Sequence, residues 1–170
     1  MTENEVHENI VRWISSQTGL TTIKAHQSGD RPENPYLMVN LLNVRDVQEY
    51  EQDLEFTELE TENSEGNLEI NAKAVVETEW EFSIHSYGES PTSPLRKIRT
   101  RYKIQQAQFS LMPLLVIHDI GTINNVPDWV KNAWEPRSQC NLFVRGLVRD
   151  GVVIDAIESA SIGVTRGLSN

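Results

Sequence analysis

The stretch that decides the fold is Glu79-Trp80-Glu81-Phe82-Ser83-Ile84-His85-Ser86-Tyr87-Gly88. Large apolar side chains occupy every second position from Trp80 to Ile84, and polar side chains stand between them. Successive side chains of a β-strand point to opposite faces of the sheet. We therefore expect one face of this strand in the core and the other in water, with Glu79, Glu81, Ser83 and His85.

Two helices are predicted, one at the N-terminus and one after this strand. The first begins at the capping-box pair Thr2 and Glu5, ends at Gly19, and carries an apolar stripe at helical period: Val6, Ile10, Trp13 and Ile14. The second begins at the cap Ser93 and ends before Pro113, with the stripe Leu95, Ile98, Tyr102, Gln105 and Phe109. We expect both stripes to pack on the sheet.

The other strand patterns are short, except for the last. Short strands are expected at residues 21–25, 36–42 and 114–120. Arg149-Asp150-Gly151 then separates two alternating runs, residues 138–148 and 152–162. Asp-Gly between such runs favours a tight turn, because Gly accepts the positive φ that the turn requires. The sequence thus predicts an α+β fold with a mostly antiparallel β-sheet, two main helices packed on it and a long C-terminal β-hairpin.

Composition indicates one soluble domain over residues 1–170. No apolar run approaches the roughly 20 residues that span a bilayer, and the acidic start lacks the features of a signal peptide. Cys140 is the single cysteine, which excludes an intrachain disulfide and fits synthesis in a reducing cytoplasm. We expect no contact with a membrane.

Charge is separated along the chain, and its net value of −10 argues against general nucleic-acid binding. Residues 46–69 contain ten carboxylates and no cation, and we expect a strand that runs into a mobile acidic loop near residues 61–67. Residues 96–103 contain five cations and no carboxylate. Either these are two solvated faces, or they are complementary surfaces on neighbouring copies. The candidate contacts are Arg96, Lys97, Arg99, Arg101, Lys103, Glu49, Glu51, Asp53 and Glu55.

Two further places are candidates for contact with a partner. Trp129 and Trp134 flank a short polar turn and could be exposed anchors, since Trp is favoured at interface hot spots. We favour the alternative, in which the pair packs as a lid over the core. Arg149 and Asp150 lie at the tip of the predicted hairpin, which is long enough to project and grip a neighbour.

The sequence shows no catalytic grouping, so we predict no enzyme, no cofactor and no metal. The rival we weigh is a metal-dependent nuclease of the Pro-Asp…Glu-x-Lys type, but no lysine has a carboxylate two positions before it. His118 and Asp119 are adjacent in a strand and should point to opposite faces. Cys140 alternates with Leu142 and Val144, as a small buried hydrophobe would. The acidic stretch lacks the spacing of a calcium loop.

Several short motifs follow one another in a particular order: Trp13-Ile14, Thr18-Gly19-Leu20, Gln27, Arg31-Pro32, Pro35-Tyr36, residues 83–88, Glu135-Pro136-Arg137-Ser138-Gln139 and the long last hairpin. In this order and spacing, over nearly the whole chain, the sequence resembles the neck or tail-terminator proteins of long-tailed bacteriophages. No single motif is specific, so the resemblance depends on their order.

The resemblance implies a structural virion protein, made in the host cytoplasm and located in the phage neck. It implies a homohexameric ring that terminates the tail and joins it to the head connector, with a channel through which DNA passes without specific binding. Its partners would be the tail tube, any sheath, and connector or completion proteins. The nearest alternative is a head-completion or connector adaptor protein. A metal-dependent nucleic-acid-processing enzyme is the alternative of another class.

Overall fold

A computed structural model describes residues 1–62, 68–130 and 132–155, and these form an α+β fold, as predicted. The described elements include two α-helices, a 3₁₀ helix at Gln105–Gln108 and nine strands. They follow one another as α1 (Glu3–Thr18), β1 (Thr21–Lys24), β2 (Tyr36–Asp46), β3 (Asp53–Glu62), β4 (Leu68–Tyr87), α2 (Thr92–Arg101), β5 (Leu115–Ile120), β6 (Asn124–Asn125), β7 (Asp128–Val130), β8 (Ala133–Glu135) and β9 (Arg137–Asp155).

The chain divides into two compact units, and the larger contains Met1–Glu51 and Val76–Val148. Its sheet has the order β1-β2-β4-β9-β5, with β6 beside β9. The β1–β2 pair is parallel, whereas β2–β4, β5–β9 and β6–β9 are antiparallel. Strands β7 and β8 form a separate antiparallel pair.

The smaller unit contains Gln52–Val75 and the chain from Arg149 onward. In it, β3 pairs antiparallel with the first half of β4, from Asp53 opposite Val75 to Glu58 opposite Ile70. The predicted strand in the acidic segment is therefore present, as β3. The acidic loop expected near residues 61–67 lies mostly outside the described residues.

The core of the larger unit lies between the sheet and the two helices, and of the predicted stripes it contains all four residues of α1 but only Leu95 and Ile98 of α2. Thr2 and Glu5 make the expected capping box, and Gly19 ends α1 with a φ of 76°. The predicted stripe of α1 is buried with the apolar face of β4 and the first turns of α2; this cluster includes Val6, Ile10, Trp13, Ile14, Trp80, Phe82, Ile84, Leu95 and Ile98. The indole of Trp13 donates to the Ala107 carbonyl at 2.6 Å, so its one polar atom is also satisfied.

Helix α2 is shorter than predicted, and the prediction that it runs to Pro113 is wrong. It follows Pro91 without a side-chain cap from Ser93 and ends at Arg101, which leaves Phe109 59 % exposed. The buried amide of Gln108 explains the early end. Its Nε2 donates to the Tyr102 carbonyl at 2.7 Å, and its Oε1 accepts from the Ile117 amide at 2.8 Å. These bonds satisfy a released helix carbonyl and join the turn to β5.

The prediction that the polar face of β4 lies in water is also wrong. Glu79 and Ser83 are buried, because side chains from the neighbouring strands cover them. His85, expected at the surface, is half-buried, and its Nε2 lies 3.0 Å from the Ser83 hydroxyl. Burial lowers the pKa of His85, with a further contribution from the charge of Arg137.

The C-terminal strand is long, as expected, but the turn predicted at Arg149-Asp150-Gly151 is wrong. Strand β9 continues through these residues to Asp155, and the rest of the predicted second arm lies outside the described residues. Gly151 does not have a positive φ. Glycine is needed here because β4 lies very close to this position. A Cβ at residue 151 would lie 2.8 Å from the Ala72 carbonyl and 2.6 Å from Lys73 Cγ.

The substitution Gly151→Asn therefore tests whether Gly151 lies close to a neighbouring strand or in a turn. We expect it to lower the free energy of unfolding by about 1–3 kcal/mol, because the new side chain has no room beside β4. Gly19→Asn is the control, since Gly19 has a left-handed φ with nothing within 4 Å of the added Cβ, and Asn is accepted there. Urea unfolding measures both. A neutral Gly151→Asn would show that this glycine is in a turn of positive φ.

Candidate interaction surfaces

A buried carboxylate joins four strands of the larger unit. Glu79 of β4 is 3 % exposed. Its Oε1 accepts from Arg45 Nε of β2 at 2.8 Å, and its Oε2 accepts from Arg145 Nε of β9 at 2.9 Å. His118 of β5 places Nε2 2.7 Å from the same Oε2 and must donate, because an ionised carboxylate only accepts.

This environment keeps Glu79 ionised. Burial alone would raise its pKa, but the hydrogen bonds from Arg45, Arg145 and His118 outweigh it and lower the pKa to about 2. A carboxylate so fully occupied by donors makes a poor general base. No group of three or more His, Cys, Asp or Glu side chains that could hold a metal ion occurs among the residues the structure describes. Cys140 is buried as predicted, and burial raises the pKa of its thiol to about 12.

Glu79→Gln should cost about 3 kcal/mol of unfolding free energy at neutral pH, because the buried carboxylate that accepts hydrogen bonds from Arg45, Arg145 and His118 is lost. A folded pKa below the unfolded value of 4.5 means that the stabilisation is full above about pH 4.5 and disappears as pH falls toward 2. Urea unfolding across this range should show the two proteins converging. The control, Glu8→Gln, removes a carboxylate that is 42 % exposed and makes only surface ion pairs with Arg12 and Lys24, so it should have little effect. A pH-independent difference would contradict the assignment.

The predicted basic segment lies on and just after α2, and two of its cations have a structural role. Lys97 Nζ donates to the Thr18 carbonyl at 3.1 Å, and Arg101 donates to the Gln17 carbonyl. These carbonyls belong to the C-terminal turn of α1, which has no basic residue of its own. Cations there satisfy unpaired carbonyls and complement the helix dipole. Arg96, Arg99 and Lys103 are exposed.

The other charged candidates lie in both units. Glu49 and Glu51 are exposed in the turn after β2. In the smaller unit, Glu55 accepts from Arg149 Nε at 2.9 Å, which pairs two candidates with each other. Asp53 and Asp150 accept from the backbone amides of the residues that follow them. Contact of these side chains with a neighbouring copy stays a prediction.

The two tryptophans lie opposite each other in the hairpin of β7 and β8, and the expectation of a lid over the core is wrong. Trp129 and Trp134 are 56 % and 67 % exposed, with ring centroids 5.1 Å apart in an edge-to-face contact.

Beside Trp134 is a depression of about 580 Å³ that also includes Arg31 and Glu135. Arg31 pairs with Glu135 at 3.2 Å and lies 5.0 Å from the Tyr87 ring centroid.

Two apolar surfaces were missed by the sequence analysis. The first, here called the ribbon face, is in the smaller unit and consists of Leu54, Phe56, Ala72, Ala74 and Val152. The second, here called the helix-end patch, is in the larger unit and consists of Lys103, Ile104, Phe109, Met112, Leu114 and Val116. The alternation of Leu54 and Phe56 with acidic residues was a usable signal for the first. The lack of any carboxylate in residues 92–118 was a signal for the second.

The two roles of the basic segment can be separated by paired substitutions. Lys97→Gln with Arg101→Gln should lower the free energy of unfolding by about 1 kcal/mol or more, because the end of α1 loses its hydrogen-bond donors. Arg96→Gln with Arg99→Gln changes the net charge equally and should leave stability nearly unchanged. Urea unfolding compares the pairs. Equal losses would mean that total charge, not capping, matters.

Comparison with known proteins gives a family and a related fold. The family described as phage neck terminator protein matches residues 4–167. A similar solved structure is the sheath/tube terminator, in its extended state, of an extracellular contractile injection system, PVC, determined by cryo-EM. The likeness has a TM-score of 0.53 at 12 % identity and covers all of this chain, which spans 65 % of that one. It shows the fold alone.

No curated protein matches this sequence. Neither α1 nor α2, the two α-helices described here, has the length and apolar character required to cross a bilayer.

Proposed function

This chain belongs to the phage neck terminator protein family, and we propose that it is a ring subunit that ends the phage tail and joins it to the head connector. The observation that carries the proposal is the family match, which covers residues 4–167 of 170. The terminator fold of the injection-system protein supports it, since the described elements follow the same fold. The protein would be located in the neck of the virion.

The ring would be a homohexamer with a central channel. The net charge of −10 suits a channel through which DNA moves, because like charges discourage binding to the walls. The head-proximal ring would contact the tail tube, any sheath, and the connector or completion proteins. The Trp129–Trp134 hairpin is a suitable anchor for one of these partners, because two large aromatic side chains stand exposed on a short, hydrogen-bonded ribbon.

An enzyme is a weaker interpretation of the same geometry. The strongest ionic cluster described, around Glu79, consists of a buried carboxylate with three donors in place. Such a site binds strands together and leaves no lone pair directed at a substrate. The thiol of Cys140 is buried and has a pKa near 12, so it is a poor nucleophile. We therefore propose a purely structural role.

A phage whose reading frame for this chain is interrupted by a stop codon tests the proposal. We expect tails of uncontrolled length that do not join heads, because nothing ends polymerisation of the tube. Tail lengths are measured on electron micrographs of lysates, and the intact chain supplied from a plasmid is the control. Tails of normal length beside unjoined, filled heads would indicate the head-completion role instead. Normal virions would contradict both.

A further inference from the structure

We propose that neighbouring copies join head-to-tail, with the ribbon face of one copy packed against the helix-end patch of the next. The inference depends on the proposed ring and names the two surfaces that would build it.

The ribbon face is an apolar sheet surface open to solvent. Residues paired across a ladder share a face, so Leu54 with Ala74 and Phe56 with Ala72 lie on one side. Leu54 is 47 % exposed and Phe56 is 60 % exposed. Together with Val152 of β9, three of these residues line a depression of about 390 Å³. Alanines between larger side chains leave a shallow concave surface that can receive a partner's side chains.

The two sides of this ribbon differ in chemistry. Glu55 and Thr57 alternate with Leu54 and Phe56 and therefore point to the other side. That side carries the Glu55–Arg149 ion pair, at 2.9 Å. A ribbon with one polar and one apolar side is the pattern of a sheet that is covered on one side only.

The helix-end patch is the corresponding apolar surface of the larger unit. Met112 and Val116 line a depression with Lys103, and Val116 lines a second with Leu114. Five large apolar side chains of this patch are 40–59 % exposed: Ile104, Phe109, Met112, Leu114 and Val116. The two depressions join Met112, Leu114 and Val116 into one exposed apolar surface, which is typical of a contact site.

Charge complementarity identifies a second copy as the occupant. Residues 92–118, which contain the patch, have five cations and no carboxylate. Residues 51–62, which contain the ribbon's outer strand, have six carboxylates and no cation. At the surfaces themselves, Asp150 lines the depression of the ribbon face and Lys103 lines a depression of the patch, so contact of the ribbon face with the patch is favoured over contact of either surface with itself. Different surfaces joined in this way form a ring when the rotation between copies closes.

Two substitutions disable one surface each. Phe56→Lys places a cation on the ribbon face, opposite the basic patch, and Leu114→Glu places an anion on the patch, opposite the acidic ribbon. Each should weaken association on the order of 100-fold. Thr57→Lys, on the other side of the same strand, and Ser28→Glu, in an exposed loop, make the same charge changes and should assemble like wild type. Mass is measured by light scattering.

Mixing the two defective variants is the decisive measurement. A Phe56→Lys copy keeps its patch and a Leu114→Glu copy keeps its ribbon, so one good contact remains between them. We expect each variant to be monomeric alone and their mixture to associate at least to a dimer, with twice the chain mass of 19.4 kDa, because the introduced lysine and glutamate carry opposite charges and need not keep the second contact apart. Formation of this dimer also shows that both variants are folded.

Three other outcomes would overturn the pairing. If both variants assemble like wild type, the ring forms without these surfaces. A lowered melting temperature of Phe56→Lys would then indicate that another segment of the same chain packs on the ribbon face. Monomeric variants that do not combine when mixed would show that the two surfaces do not meet. A wild type that stays monomeric up to its solubility limit would overturn the ring and the pairing together.

Discussion

The larger unit depends on one buried carboxylate. Glu79 receives hydrogen bonds from Arg45, Arg145 and His118, so a single side chain connects β4 to β2, β9 and β5. Burying an ion is costly, and the cost is recovered only when all donors are in position. A shift of any of these strands by one residue would turn its donor to the other face of the sheet. The cluster therefore selects one register among neighbouring strands, in addition to any stability that it contributes.

The same two central strands, β4 and β9, also supply residues to the smaller unit. Neither of the described α-helices belongs to the smaller unit, and Leu54 and Phe56 remain exposed. Burial of apolar surface stabilises a protein by roughly 25 cal/mol per Å², and the isolated chain does not gain this free energy for the area that stays in water. A protein that assembles can gain it on contact. This gives a physical reason for an α+β domain to keep an uncovered ribbon.

Features determined by nearby residues could be predicted from the sequence. The capping box of Thr2 and Glu5, the cap at Gly19 and the stripe of α1 depend only on spacing within one helix, and all three are confirmed. Features determined by distant partners could not. Glu79 looked like a solvated residue, because its donors lie 34, 39 and 66 positions away along the chain. Gly151 suggested a turn, because a close strand and a tight turn both require glycine.

The interaction surfaces show the same division. Five cations within residues 96–103 indicated a basic surface, yet Lys97 and Arg101 bind the last carbonyls of α1, a helix that is distant in sequence. The sequence thus shows the charge pattern, but tertiary contacts determine which of these cations are available to a partner. In the proposed ring, each copy uses one acidic and one basic surface on its two neighbours. In that proposal the two ends of the ring would contact the tail and the connector.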